Sequence, residues 1–284
     1  MILSMSHPKL ARAAVAAAVA AGGLLLMNHL APLQWPSTLV YSGLVLVVSG
    51  LLSVCVPPRW LGFTRRTHGL MVGVAAGATC LAAGWMWPVG AYTTPVVESR
   101  LDAVMPEYNF SERHKVTIEA PPERVRAALD QLSFADIPVL ATLGKIRGAA
   151  MGHSTPRSGK QAAVPATPIV EIVKNPRAGF FPLDDSPREF VFGLAGQPWN
   201  NVSVRLRPEE FRTWAAEGNV KVAANFRIED AGPGRSRVIT ETRIAAAGGA
   251  ARRKMARYWA FIYPGSGWTR LGMLEALRQR AERR

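Results

Sequence analysis

Charge is almost absent from the first third of this chain and dense in the rest. That division limits the folds open to it more than any motif does. Residues 1–99 hold only Lys9, Arg12, Arg59, Arg65, Arg66 and Glu98 as charged side chains. Of the 34 Lys and Arg, 29 lie in residues 100–284, as do 19 of the 20 Asp and Glu, so this part carries +10 of the formal +14. The first part suits hydrocarbon and the second suits water.

Three apolar runs fill the first part. Residues 10–31 are rich in Ala and Leu, and neither 39–56 nor 69–92 contains a charge. Each approaches the ~20 residues needed to cross a hydrocarbon layer of ~30 Å, which predicts a membrane region over residues 1–92 with three spans. The first run also has the length of a signal peptide, but no small-x-small site precedes a polar mature start, so an uncleaved span is expected. Lys9 and Arg12 open the first run, and Arg59, Arg65 and Arg66 separate the second from the third. Cytoplasmic loops carry the excess of Lys and Arg. This bias predicts a multi-pass protein of the cell membrane with its soluble part on the extracytoplasmic side. Trp85 and Trp87 close the third run as interfacial anchors. Cys55 and Cys80 lie inside the runs, and the soluble part has no cysteine.

Residues 93–107 read as a linker. Val116 and Ile118 then alternate with polar neighbours as in a half-buried strand. Pro121 and Pro122 end that strand and open a helix with Val125, Ala128, Leu129 and Leu132 on one stripe. Asp136 is placed to cap a second helix carrying Leu140, Leu143 and Ile146. Residues 149–168 have loop composition. Five strand-like stretches follow, at 169–174, 188–196, 202–207, 220–228 and 237–244. In the fourth, Val222, Ala224, Phe226 and Ile228 share a face. In the fifth, Val238, Thr240, Thr242 and Ile244 share one face, while Arg237, Glu241 and Arg243 share the other, where Glu241 and Arg243 read as a solvated cross-strand pair. The order strand, helices, antiparallel strands, long terminal helix is an α+β layout.

Four segments, "HKVTIEAPPERVRAALDQL", "GFFPLDDSPREFVFGLAGQPWN", "NFRIED…RVITETRI" and "RYWAFIYPGSGWTRLGMLEALRQRAE", carry a resemblance. Together they resemble the SRPBCC superfamily, also called START-like or polyketide cyclase/dehydrase and lipid-transport-like. The resemblance covers roughly residues 108–284 and leaves the apolar runs outside it. It implies a helix-grip fold, a curved antiparallel sheet wrapped on a long C-terminal helix with an apolar cavity between them. Pro264, Gly265 and Gly267 predict that this helix breaks at 263–267, between pieces at 250–262 and 268–281, either as a plain kink or as a hinge. The first piece presents Ala251, Met255, Tyr258, Trp259 and Ile262 to the sheet, and the second presents Trp268, Leu271, Leu274, Leu277 and Ala281.

The inventory for chemistry is thin. No Cys, His and carboxylate spacing suits a metal, "PGSGW" lacks a nucleophile elbow, and no catalytic set or cofactor is implied. The candidate ligand wall is Val222, Phe226, Thr240, Thr242, Met255, Tyr258 and Trp259, with Asn225 a further polar candidate. Arg252, Arg253, Lys254 and Arg257, and then Arg278, Arg280, Arg283 and Arg284, make the terminal helix basic. On an outward-facing domain such charge suits anionic lipid headgroups better than nucleic acid. The expected role is non-catalytic binding of an apolar small molecule or lipid. A cyclase or dehydratase on a polyketide-like substrate, and an interaction subunit of a membrane complex with its partner open, are the alternatives.

Overall fold

The computed structural model describes residues 33–55, 65–137, 166–175 and 179–283. These form two compact units. One includes the chain up to Pro88 together with Ala256–Pro264, and the other holds Val89–Met255 and Gly265–Arg284.

The first unit contains helices α1 (Trp35–Leu52) and α2 (Arg66–Trp85). Both are long and apolar enough to cross a membrane, whereas the run at 10–31 lies outside the described residues. Glycines bring the two backbones into contact. A Cβ on Gly73 would lie 2.6 Å from the Gly50 Cα, and one on Gly43 would lie 2.8 Å from the Gly77 carbonyl oxygen. Small residues at such a crossing allow the close packing that holds helices together in lipid. Val45, Val48, Met71 and Val72 point outward and are exposed.

The second unit is α+β. Six antiparallel strands form its sheet: β3 (Phe110–Ile118), β4 (Phe181–Ser186), β5 (Glu189–Gln197), β6 (Val202–Val204), β7 (Val220–Asp230) and β8 (Ser236–Ala246). Their order is β3-β8-β7-β5-β4, and β6 pairs with the far end of β5. The β7–β8 hairpin turns through Gly232 and Gly234, whose φ of +107° and +67° suit glycine alone at little cost. Phe226 pairs with Thr240, and Ala224 with Thr242, so the faces read from the sequence for β7 and β8 hold.

One face of the sheet is packed by helices α4 (Pro122–Asp130) and α5 (Ile169–Lys174) and by the last turns of helix α6 (Gly248–Glu282). Phe190, Phe226, Ile228 and Val238 meet Leu129, Leu132, Leu274 and Leu277 there in one buried core. Two expectations are corrected at this face. Residues 169–174 are a helix and not a strand. Ile169, Val170 and Val173 are buried, and a run this short has no period that separates the two structures. The unpredicted β4 carries Pro182, Asp184 and Asp185, all poor strand formers, and is tolerated as an edge strand with a register shift between Pro182 and Asp184. Of 202–207 only Val202–Val204 pairs as strand. Asp136 closes a capping box with Ser133 in a short 3-10 turn, Phe134–Asp136, rather than capping a helix. Leu140, Leu143 and Ile146 lie outside the described residues, as does most of the loop at 149–168.

The other face is covered as well, by the stretch expected to be a linker. Residues 93–107 pair β1 (Tyr92–Thr93) with β2 (Glu107–Tyr108) and form helix α3 (Arg100–Val104). Leu101 and Met105 are fully buried in a core with Val191, Ala195, Phe211 and Ala223. Glu241 and Arg243, expected to be solvated, are therefore buried. The Arg243 guanidinium donates to Asp102 and Glu241, each at 2.6 Å, and to the Met105 carbonyl at 3.0 Å. Asn225 also faces this side, not the helix side. It donates to Glu189 at 2.7 Å, whose carboxylate receives the first backbone N–H groups of α3.

The C-terminal helix departs furthest from expectation. Helix α6 runs unbroken for 35 residues with Pro264 inside it, so there is no break at 263–267. A proline in a helix interior costs ~3 kcal/mol, and packing along one face offsets it. Ala251, Met255, Trp259, Tyr263, Gly267, Leu274, Leu277 and Ala281 recur at steps of three, four or seven residues, all buried. Trp268 and Leu271, assigned to that stripe, are exposed.

Breaking a buried ion pair costs about 3–5 kcal/mol, because the remaining charge is left unmatched. Asp102→Asn should lower stability to urea by that order at pH 7. Burial alone would raise the Asp102 carboxyl, but bonds from Ser99 and Arg243 hold it below its ordinary 3.8. The stability carried by its ionised form is present above that value and lost as pH falls through the lower folded one. The gap between wild type and Asp102→Asn should therefore stay constant from pH 7 to about 4 and narrow as pH falls below 3.8.

Candidate functional site

The helix-facing side of β3 and β8 is not uniformly apolar. In β3 the side chains of Glu112 and His114 share the phase of Val116 and Ile118, because alternate residues of a strand share a face. In register, Glu112 pairs with Thr242 and His114 with Thr240. Four polar side chains thus stand together on a face otherwise buried in core.

Helix α6 answers them with the residues of the Pro-Gly-Ser-Gly stretch and the turn after it. The Ser266 hydroxyl donates to Glu112 Oε2 in a short bond. His114 Nε2 lies 2.9 Å from Glu112 Oε1, with the two side chains 8% and 0% exposed. Gly267 makes room for this pair. A Cβ there would stand 3.1 Å from Glu112 Oε1 and 3.8 Å from His114 Nε2. One turn on, Arg270 Nη1 donates to Thr240 Oγ1 at 2.8 Å, and Nη2 donates to Thr242 Oγ1. Thr240 passes its own proton to the Asn225 carbonyl at 2.8 Å. Burial pushes the Arg270 guanidinium below its ordinary range, while the field of Glu112 pulls it up. A buried charge demands a partner of this kind.

The chemistry of the cluster follows from its order. A serine nucleophile needs its base against the hydroxyl. Here the carboxylate lies between hydroxyl and imidazole, and both bond to it rather than to each other. Among the described residues no group of three or more His, Cys, Asp or Glu is placed to hold a metal. The cluster holds α6 to the sheet through charge-assisted hydrogen bonds, which are about twice as strong as neutral ones.

The expected ligand wall is distributed differently. Thr240 and Thr242 come together, but as acceptors for Arg270. Phe226 is fully buried in the core. Val222 is half-buried on the same face of β7, opposite Ile244, and Met255 is buried in α6. Tyr258 and Trp259 belong to the other compact unit, where Trp259 packs edge to face on Tyr263, with ring centroids 5.5 Å apart. Glu112, His114, Ser266 and Arg270 were not anticipated. Their signal was the phase of Glu112 and His114 with Val116 and Ile118. No family model, curated protein or solved structure matches the chain.

The two bonds to Glu112 can be weighed separately. Ser266→Ala removes one donor to a buried carboxylate and should cost about 1.5–3 kcal/mol. Glu112→Ala strips Arg270 of its nearby opposite charge and both His114 and Ser266 of their acceptor, and should cost about 3–5 kcal/mol. Equal losses in urea unfolding would show that Glu112 is not the centre of this contact.

Proposed function

We propose that this chain is a membrane-anchored, non-catalytic binding protein for an apolar or lipid-like ligand, with its sheet and C-terminal helix built as a START-like helix grip. The supporting observation is the state of the polar groups between sheet and helix. Ser266, Glu112, His114, Arg270, Thr240 and Thr242 are bonded to one another or to the backbone, so the face offers a ligand mainly apolar side chains such as Val222, Phe226 and Met255. Turnover by a cyclase or dehydratase would call instead for polar groups converging on an open space. A six-stranded antiparallel sheet followed by a long terminal helix agrees with the coarse α+β layout that the START-like resemblance implies, and supports this reading to that extent. Helices long and apolar enough to span a bilayer supply the anchor.

Native mass spectrometry of the full chain in a neutral detergent tests the ligand directly. A co-purifying lipid is expected, and Phe226→Ala, which removes a large side chain from this face, should change its occupancy. A second reading is favoured by the filled core, in which Phe190 and Phe226 are fully buried. In that reading the chain is an interaction subunit of a membrane complex. Protein that carries no lipid, and a Phe226→Ala variant that takes up none, would select this second reading.

The charge bias around the apolar runs puts the sheet unit on the extracytoplasmic side. Protease added to intact spheroplasts should then digest it. Full protection, with digestion only after lysis, would reverse the orientation.

A further inference from the structure

The sheet-facing stripe of α6 passes from Gly267 to Leu274 through Arg270, which stands three residues after the one and four before the other. No other place on that stripe carries a charge. The guanidinium also differs from its neighbours in what it meets. Arg243 is matched by Asp102 and Glu241, Arg126 by Asp130 and Asp185, and Arg227 by Glu229. Arg270 is half-buried and makes no ion pair among the described residues. The field of Glu112 reaches it, but the oxygens of that carboxylate are taken by Ser266 and His114. Of the five N–H donors of a guanidinium, two go to Thr240 and Thr242. The other three meet no acceptor among the described residues. The Thr240 hydroxyl donates to the Asn225 carbonyl, whereas Thr242 accepts from Arg270 and keeps its own proton free to donate.

The sheet next to this guanidinium is apolar and partly open. On β7, Ala224 stands opposite Thr242 and Val222 opposite Ile244. On β5, Phe192 pairs with Ala224 and Leu194 with Val222. Residues directly opposite in antiparallel strands share a face, so all of these lie on the side of the two threonines. Phe192, Leu194 and Val222 are half-buried. Phe190 and Phe226, one row further along the same strands, are fully buried. Leu194 and Val222 stand outside both buried cores. The sheet thus carries an accessible apolar strip that leads up to a cation with donors to spare.

We propose that Arg270 anchors the head of an amphipathic monocarboxylate such as a long-chain fatty acid, whose chain lies along Phe192, Leu194 and Val222. The proposal rests on the apolar-ligand reading given above and names the class of that ligand. The occupant follows from charge. One guanidinium without a carboxylate is matched by a single negative charge, whereas a phosphate monoester brings about two. It follows also from shape, since a planar carboxylate accepts two parallel N–H bonds from the guanidinium fork. Thr242 has a hydroxyl proton to add to the same head.

The full chain in neutral detergent at pH 8 is offered equimolar oleic acid and methyl oleate, and the bound species are counted by native mass spectrometry. Wild type should prefer the acid by at least about ten-fold, the value of one hydrogen bond to a charged group. Arg270→Gln should bind acid and ester equally and hold the ester as well as wild type does. Leu194→Trp leaves α6 and its arginine untouched, so it reads the site even where Arg270→Gln does not fold. It crowds the apolar strip and should weaken acid and ester alike, by about ten-fold. Acid and ester bound equally by wild type would overturn the proposal and leave the apolar-ligand reading standing. Neither bound would overturn both. Preference undiminished in Arg270→Gln, or binding unchanged in Leu194→Trp, would also overturn the proposal. So would oleyl phosphate displacing oleic acid at equal concentration, because the head would then be a phosphate.

Discussion

A carboxylate cut off from water must be matched by donors, and Glu112 imposes that requirement at the centre of the sheet-helix contact. Its side chain is fully buried, and three features of α6 follow from it. Ser266 supplies a hydroxyl proton, Gly267 leaves out the Cβ that would crowd the carboxylate, and Arg270 brings positive charge one turn further on. The Pro-Gly-Ser-Gly sequence is thus a point of close approach. Glycine at 267 costs a helix ~1 kcal/mol relative to alanine, a loss smaller than that of a buried charge without partners.

The opposite face of the sheet repeats the logic with reversed sign. Arg243 is the buried charge there, and the residues after the second apolar helix fold over the sheet to match it. Met105 contributes both its side chain to the core and its carbonyl to the guanidinium, and Asp102 contributes both a capping box and an ion pair. This cover cannot be treated as a passive tether. Removing it would expose Val191 and Ala223 and take from Arg243 its bonds to Thr94, Asp102 and the Met105 carbonyl, leaving it the one to Glu241. Two buried charges, one on each face, tie the sheet to an element distant in sequence, at α6 and at residues 93–107.

The parts of this arrangement that were legible in the sequence are those with a local period. The faces of β7 and β8 and the stripe of α4 were readable because alternation and the 3.6-residue repeat are carried by neighbouring residues. Pro264 misled because propensity is local, whereas the stripe from Ala251 to Ala281 that overrides it is a property of 31 residues at once. Glu241 and Arg243 were read as solvated because the covering segment has little period of its own. Ser99 and Asp102, three apart, were its one start signal, a capping pair. Thr240 and Thr242 were placed on the correct face, but their role was hidden. Nothing local says that an arginine thirty residues away will take both hydroxyls.

The unbroken helix also changes what a ligand could use to enter. A joint at 263–267 would have let half of α6 swing away from the sheet while the other half stayed in place. The helix is instead continuous through Pro264 and fastened just beyond it by Ser266 and Arg270. Lifting the last turns from the sheet would break the bonds to Glu112, Thr240 and Thr242 together, and would expose Leu274 and Leu277. That combination is too costly for a routine gate, since one unmatched buried charge alone is worth about 3–5 kcal/mol. Rotation of single side chains costs far less, of the order of 0.5–1.5 kcal/mol for an unfavourable rotamer. An apolar ligand of the kind proposed would therefore have to enter this face by moving side chains such as Val222 and Phe226, with α6 as the fixed wall.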